Sequence, residues 1–356
     1  MPTNIILLII SGFLAAALIS YIGIPIVVRV AKKHYLVDIP NSRSSHGKPV
    51  PILGGVAILI SFILSFLIFS DGYFELPFQY IIASLLIIFT MGVKDDLLNL
   101  SPRNKILGQV LAAAIIAVLG DLRIVHIYGF LGIDELGYVS SILVTIFSIM
   151  VITNAINIID GIDGLASGVS MVVVVTLGIF FFLFHNIDFI ILAACFFGSL
   201  VVFFRFNVFG KKNKIFMGDT GSMVLGYVIS LMIIEFNENN FYINSTYDVN
   251  VAPVVLCGIL IVPFFDMIRV IFLRIFRKRK PWEPDHNHIH HYLLKIGFSH
   301  FKATSIILIV NILIIFLILY LQSLQIDIHL LLLILILLGI VLVYIPIYIL
   351  KKKEKK

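Results

Sequence analysis

The chain has 356 residues, of which 60% are hydrophobic and only 13% charged, and its formal net charge is +6. Soluble globular chains are usually about 25% charged. A water-soluble fold is therefore excluded, because this much Leu, Ile, Val and Phe finds cover only in lipid. The two cysteines, Cys195 and Cys257, lie in apolar runs and imply no disulfide framework.

Spanning helices need roughly 20 apolar residues, and shorter ones are tolerated inside a bundle. Eleven segments qualify in chain order: 5–30, 52–69, 78–93, 106–119, 138–153, 168–184, 189–204, 222–235, 252–273, 304–321 and 329–350. The first has no basic segment before it and runs into a polar loop, so it reads as a helix and not a signal peptide. The fourth is short and ends at Gly120. The expected fold is all-α and polytopic, with about eleven transmembrane helices.

Basic residues follow the odd-numbered helices. They include Arg29, Lys32, Lys33, Arg43 and Lys48, then Lys94, Arg103 and Lys105, then Arg205, Lys211, Lys212 and Lys214. The run 269–302 and the lysine tail continue the pattern. The other loops hold Arg123 against Asp71, Glu75, Asp121, Asp134, Glu135, Glu238 and Asp248. This asymmetry places the N-terminus outside and the C-terminus in the cytoplasm. The positive charge then faces anionic membrane lipids, and no nucleic acid is needed to explain it. No second soluble domain fits. Residues 1–350 read as one transmembrane domain and 351–356 as a basic cytoplasmic tail. A homodimer through lipid-facing helices is compatible with the pattern, though no GxxxG face argues for one.

The polar segments all fall on the cytoplasmic side, in chain order as follows. The first runs from Asp38 to Gly55, where Arg43, His46 and Lys48 are donors on a loop stiffened by Pro49 and Pro51. The second is Lys94-Asp95-Asp96 at the end of the third helix. Adjacent carboxylates repel, and a divalent cation or a proton offsets that cost. The third runs from Asn154 to Gly168 and repeats Asn or Asp every three residues. On a helix, Asn154, Asn157 and Asp160 share a face. An EF-hand loop would need an acid where Met171 stands, so that reading fails.

The fourth segment is Phe216-Met217-Gly218-Asp219-Thr220-Gly221-Ser222, leading into the eighth helix. Asp219 or Ser222 could simply cap that helix. As a functional loop, Asp219 is a metal ligand, the glycines admit a phosphate, and Phe216 offers a face for a base to stack on. The fifth is Asp285-His286-Asn287-His288-Ile289-His290-His291. No cysteine lies near and the spacing fits no zinc pattern. Donors able to grip diphosphate oxygens, with Arg277 to Lys280 close by, are the better reading.

Together these segments describe phosphoryl transfer. Carboxylates with a divalent cation neutralise developing charge, and basic side chains hold the remaining phosphate oxygens. No activated Ser or Cys is needed. Helix mid-sections hold almost no ionisable residues, which weighs against the rival reading of a metal or solute transporter built on the histidine loop.

The motifs Pro-Val-Pro-Ile-Leu-Gly-Gly, Asp95-Asp96, Asn154 to Ser167, Phe216 to Ser222 and His288-Ile-His-His resemble the polyprenyl-phosphate N-acetylhexosamine-1-phosphate transferases over nearly the whole chain. The resemblance implies transfer of a sugar 1-phosphate from a UDP-N-acetylhexosamine to undecaprenyl phosphate, with release of UMP. It also implies Mg²⁺ or Mn²⁺ as cofactor, a bacterial inner (plasma) membrane location, and a lipid-linked product that starts a cell-envelope polymer. By the same resemblance, Asp95, Asp96 and Asp160 are catalytic. Asn157, Asp163, Phe216, His288, His290 and His291 bind substrate, and Asp219 and Asp160 hold the metal. Lys48, as a donor on the first polar loop, joins the expected substrate-binding set. The His-x-His-His form is similar to the UDP-GlcNAc-using branch. The peptidoglycan-precursor branch has three consecutive histidines, and a Lys where this chain has Asn99. Arg103 and Lys105 are both candidates for that missing charge. Direct attack by the lipid phosphate and a two-step route through an aspartyl-phosphate on Asp160 or Asp95 both remain open at this stage.

Overall fold

The structure is a computed structural model of the chain and describes residues 3–38, 49–70, 78–242, 249, 251–280 and 287–355. Helix α1 (Thr3–Lys33) is followed by a short antiparallel ribbon of β1 (Val37–Asp38) and β2 (Val50–Pro51), in which Val37 faces Pro51 and Asp38 faces Val50. Helices α2 (Gly54–Phe69) and α3 (Phe78–Leu98) come next. Then α4 (Pro102–Ala114) runs into a π-helical turn, Ile115–Leu119. Ser101 caps α4 by accepting from Asn104 N, and Pro102 suits the first turn because its missing amide would have had no partner there. A second ribbon, β3 (His126–Phe130) with β4 (Ile133–Glu135), leads to α5 (Tyr138–Ile159) and α6 (Leu165–Leu183). Helices α7 (Ile187–Phe209), α8 (Gly218–Tyr242), α9 (Ala252–Ile259) and α10 (Ile261–Phe276) follow. The chain closes with α11 (Ile289–Ile296), α12 (His300–Ser323) and α13 (Ile328–Glu354).

The protein is an all-α, multi-pass membrane protein, and every apolar segment picked out in the sequence is helical. Among the described residues, eight helices are long and apolar enough to cross a bilayer unaided, and α9 with α10 forms one bent pair. The segment 252–273 is therefore not one straight span. It bends by 80° at Leu260. Pro263 explains the break, since it offers no amide to the carbonyl of Ile259 and its ring crowds that turn.

The outer helices show lipid what a membrane helix should. Leu14 and Leu18 of α1, Phe316 of α12 and Leu333 of α13 are all more than half exposed. Helix α8 is the opposite, with every residue from Thr220 to Asn237 buried. Helices α2, α3, α5 and α6 surround it. Small residues make that packing close. A Cβ on Gly55 of α2 would lie 2.2 Å from Gly221 N of α8, and one on Gly226 would lie 2.5 Å from Thr153 Cα of α5. Gly55→Ala is therefore expected to force α2 off α8 at a cost of about 1–3 kcal/mol. Thermal unfolding in detergent tests this, and an unchanged midpoint would show that the two backbones do not meet there.

One end of this bundle gathers the C-terminal ends of α3 and α5 and the N-terminal ends of α4, α6 and α8. The other end is closed by the second ribbon. There, near the end of α8, Glu238 accepts from Val125 N (2.9 Å) and His126 N (3.3 Å) and pairs with His126 Nδ1 (2.7 Å).

Candidate active site

The first four amides of a helix have no partner within it, and they carry the positive end of its dipole. In α8 the partner comes from α3. Asp96 Oδ1 accepts from Asp219 N at 2.7 Å, and Oδ2 accepts from Thr220 N at 3.1 Å and from Thr220 Oγ1 at 2.5 Å. The helix also starts at Gly218 and not at Ser222, because Asp96 lies close against that turn. Gly218 has φ +71°, and a Cβ there would lie 2.3 Å from Ile52 O and 2.7 Å from Asp96 Oδ2. Burial pushes the Asp96 carboxyl up to about 6, against the pull of its bonds to Thr220 and Asp219. Capping by Asp219 or Ser222, considered from the sequence, is thus performed by Asp96. The Asp219 side chain is left to face outward from the helix start.

Asn157 of α5 holds that side chain, donating to Asp219 Oδ1 at 2.7 Å and to Ser222 Oγ at 2.7 Å. On its other side, Lys105 Nζ of α4 lies 3.6 Å from Asp219 Oδ2. The same ammonium pairs directly with Asp95 Oδ2, and Asp95 Oδ1 accepts from Leu100 N at 2.8 Å. Of the two cations left open by the sequence, the structure brings Lys105 to the acidic pair. Burial works to lower the Lys105 ammonium, but Asp219 and Asp95 outweigh it and hold it above its ordinary range. Asn154 has a different task. It ties α5 to α4 by donating to Gln109 Oε1 at 2.8 Å.

Asp160 ends α5 and is half-buried. Its carboxylate makes no hydrogen bond or ion pair among the described residues. Burial first, then the charges of Asp219, Asp96 and Asp163, push it up to about 8. Asp163, three residues on, is held differently. Its Oδ2 takes Lys214 Nζ at 2.7 Å and lies 3.3 Å from His300 Nδ1. Burial works to raise it, but these two partners hold it below the usual carboxylate range. The loop is further fixed by Gly164 N donating to Asn207 Oδ1 (2.6 Å) and Thr304 Oγ1 donating to Asp163 O (2.9 Å).

The histidines reach this loop from the far end of the sequence. His290 is buried, and a Cβ on Gly161 would lie 2.3 Å from its Nε2. That nitrogen is buried without a hydrogen-bond partner among the described residues. Burial, then His291, His288 and His300, hold His290 well below its ordinary value, so it is neutral. Its ring centroid is 5.5 Å from that of His288 and 4.3 Å from that of His291. Phe216 N donates to Pro51 O at 2.7 Å, which joins the strand before α2 to the α7–α8 loop. Lys214 Nζ sits 5.6 Å from the Phe216 ring centroid. Lys48 lies outside the described residues, as do Arg43 and His46.

Asp160 and Asp219 offer hard oxygen donors, and Asp160 has no other partner to neutralise it. That fits a small divalent cation. Among the described residues, no three His, Cys, Asp or Glu side chains form a closed cage.

Sequence reasoning missed Lys214, His300, Asp266 and Arg269. The last two carried a readable signal, being an acid and a base three residues apart inside a predicted span, where ionisable groups are rarely idle. Lys214 and His300 carried none, because only the fold brings them to Asp163.

Comparison with known proteins gives consistent matches. The Glycosyl transferase family 4 profile matches residues 78–237. A Bacillus subtilis (strain 168) protein described as a probable undecaprenyl-phosphate N-acetylglucosaminyl 1-phosphate transferase is 35% identical over 303 residues, covering 85% of this chain and 82% of its own. The undecaprenyl-phosphate alpha-N-acetylglucosaminyl 1-phosphate transferase of Escherichia coli (strain K12) is 27% identical, covering 77% and 73%. That of Yersinia pestis is 29% identical, covering 77% and 74%.

Proposed function

Because the chain belongs to glycosyl transferase family 4, we propose that it transfers N-acetylglucosamine 1-phosphate from UDP-GlcNAc to undecaprenyl phosphate, releasing UMP. The product is a lipid diphosphate sugar from which a cell-envelope polysaccharide is built. The single observation that carries the chemistry is the meeting of Asp219, Asn157 and Lys105 at the capped start of α8, close enough to Asp160 for the Asp219 charge to act on it. The proposed setting is a bacterial plasma membrane, with eleven spans, the N-terminus outside, and this end of the bundle in the cytoplasm, where nucleotide sugars are found. Residues 1–350 form the catalytic domain and 351–356 its basic tail.

A Mg²⁺ or Mn²⁺ ion held by Asp219 and Asp160 would neutralise charge on the donor diphosphate. The chain's own groups do the rest. Lys105 draws the acceptor phosphate. As its ammonium turns to that phosphate, the Asp95 carboxylate is freed to take a proton from it. A phosphate oxygen of the lipid then attacks the β-phosphorus of the donor in line. The bond from that phosphorus to the bridging oxygen breaks, and the oxygen leaves with UMP. Direct attack is the reading adopted over an aspartyl-phosphate on Asp160 or Asp95. The Asp95 side chain is only 3% exposed, which suits taking a proton from a phosphate drawn in by Lys105 better than reaching the donor phosphorus. Phe216 receives the uracil face, and His288, His290, His291 and Asp163 line the donor side. Lys48 is proposed as a further substrate-binding residue from the sequence alone.

The experiment is UMP release by purified protein in detergent, given undecaprenyl phosphate, Mg²⁺ and a panel of UDP-sugars. Release that needs lipid and metal supports the reading and names the sugar. No release from any donor by folded protein sinks it.

The titration of Asp160 makes a separate prediction. It keeps its proton to about 8 when folded, against 3.8 for the ordinary group. The folded state then holds a proton that the unfolded chain has lost, so metal-free stability falls as pH rises through that window. At pH 8, Mg²⁺ is expected to raise the melting temperature of the wild type more than that of Asp160→Asn. Equal shifts in the two proteins would remove Asp160 from the metal site.

A further inference from the structure

Asp266 plays no part in the chemistry above, yet it is buried against the histidine segment. It lies in α10 and is 1% exposed. Both of its oxygens serve the start of α11. Oδ2 lies 2.9 Å from His288 Nδ1, and Oδ1 accepts from Ile289 N at 3.0 Å. Arg269, one turn further along α10, brings Nη2 within 3.5 Å of Oδ1. The Arg269 guanidinium also lies over the Tyr292 ring of α11, 5.3 Å from its centroid. His288 is the N-cap residue just before α11, and its side chain makes no capping hydrogen bond.

One carboxylate therefore does two things. It caps the short helix, and it fixes the imidazole that stands at its entrance. An ionised carboxylate only accepts hydrogen bonds, so the imidazole nitrogen facing it carries the hydrogen. In a neutral ring the other nitrogen, Nε2, is then a bare acceptor. It makes no hydrogen bond among the described residues. The ring plane is fixed as well, parallel to that of His290 within 4°. Arg269 keeps the Asp266 charge in place.

We propose that Asp266, backed by Arg269, is a positioning residue that holds His288 as the Nδ1–H tautomer and presents Nε2 as an acceptor to an O–H or N–H group of the sugar-nucleotide donor. The substrate half of this statement rests on the transferase reading. The tautomer half does not.

The test uses the full chain in detergent, with ring-¹⁵N histidine. In the wild type, the signals that vanish in His288→Gln should report a protonated Nδ1 and a bare Nε2. In Asp266→Asn, the amide oxygen can still cap Ile289 N, while its NH₂ now faces the imidazole as a donor. The His288 signals should therefore switch to a bare Nδ1 and a protonated Nε2. Because the cap survives, the melting temperature should change little. The kcat/KM for UDP-GlcNAc should fall about tenfold to a hundredfold, the range found when a group that orients a metal-ligating histidine is lost. Asp266→Glu should restore part of it. Adding Asp266→Asn to His288→Gln should cost almost nothing more, because the residue acts through His288. An unchanged tautomer in Asp266→Asn, or losses that simply multiply in the double variant, would overturn the proposal. A wild type that releases no UMP would sink the transferase reading instead, and the ¹⁵N signals would then decide the tautomer half alone.

Discussion

An Asp219→Asn variant is expected to release UMP about a thousandfold more slowly than the wild type at saturating lipid, donor and Mg²⁺, while melting at nearly the same temperature. The substitution keeps the size of the side chain and removes its charge. Asn157 then faces an amide where it had a carboxylate, and Lys105 loses the anion 3.6 Å from its ammonium. Removing one group that stabilises developing charge typically costs about 10²–10³ in rate. Losing the proposed metal ligand as well places the expectation at the upper end of that range. Stability should hold because the start of α8 is capped by Asp96 and not by Asp219. Activity within about tenfold of the wild type would show that the Asp219 charge does not face the reacting phosphates.

Asp96→Ala should give the contrasting pattern, losing stability and activity together. It strips the acceptor from two backbone amides and from a buried hydroxyl at Thr220. An unsatisfied buried polar group costs about 1–3 kcal/mol, and the loss of a helix cap lies in a similar range. Thermal unfolding in detergent should show a clear drop. UMP release should fall too, because the first turn of α8 sets the place of Asp219. Asp96→Asn retains one good acceptor and should fall between. A variant that melts like the wild type yet is inactive would assign Asp96 a direct chemical role and reduce its capping to a minor one.

Much of the architecture could be read from hydropathy, because the bilayer makes each spanning helix report its environment residue by residue. All eleven apolar segments became helices. Where the reading failed, the cause was tertiary. Helix α8 starts at Gly218 and not Ser222 because α3 supplies its cap, and no local pattern around 218 announces a carboxylate 122 residues earlier. The bend at Leu260 was within reach, since Pro263 stood in the segment. The candidate site divides in the same way. The acidic pair, the Asn/Asp segment and the histidines were visible as residue types out of place beside lipid. Which partner each would take was not. Lys105, one of two cations offered close to the acidic pair, goes to Asp95, while Lys214 goes to Asp163 and Asp266 to His288 across segments that only the packed bundle brings together.

The complete burial of α8 carries a mechanical consequence. A helix that touches lipid must tilt or bend when the bilayer thins or thickens, and the adjustment costs a fraction of a kcal/mol for each ångström of mismatch. Helices α1, α12 and α13 will answer such changes directly. The helix that carries Asp219 has no lipid face from Thr220 to Asn237, so membrane thickness reaches it only through the backbone contacts made by its sheath of neighbours. Asp219 therefore meets the mechanics of the membrane that supplies the acceptor only at second hand, through the helices around it.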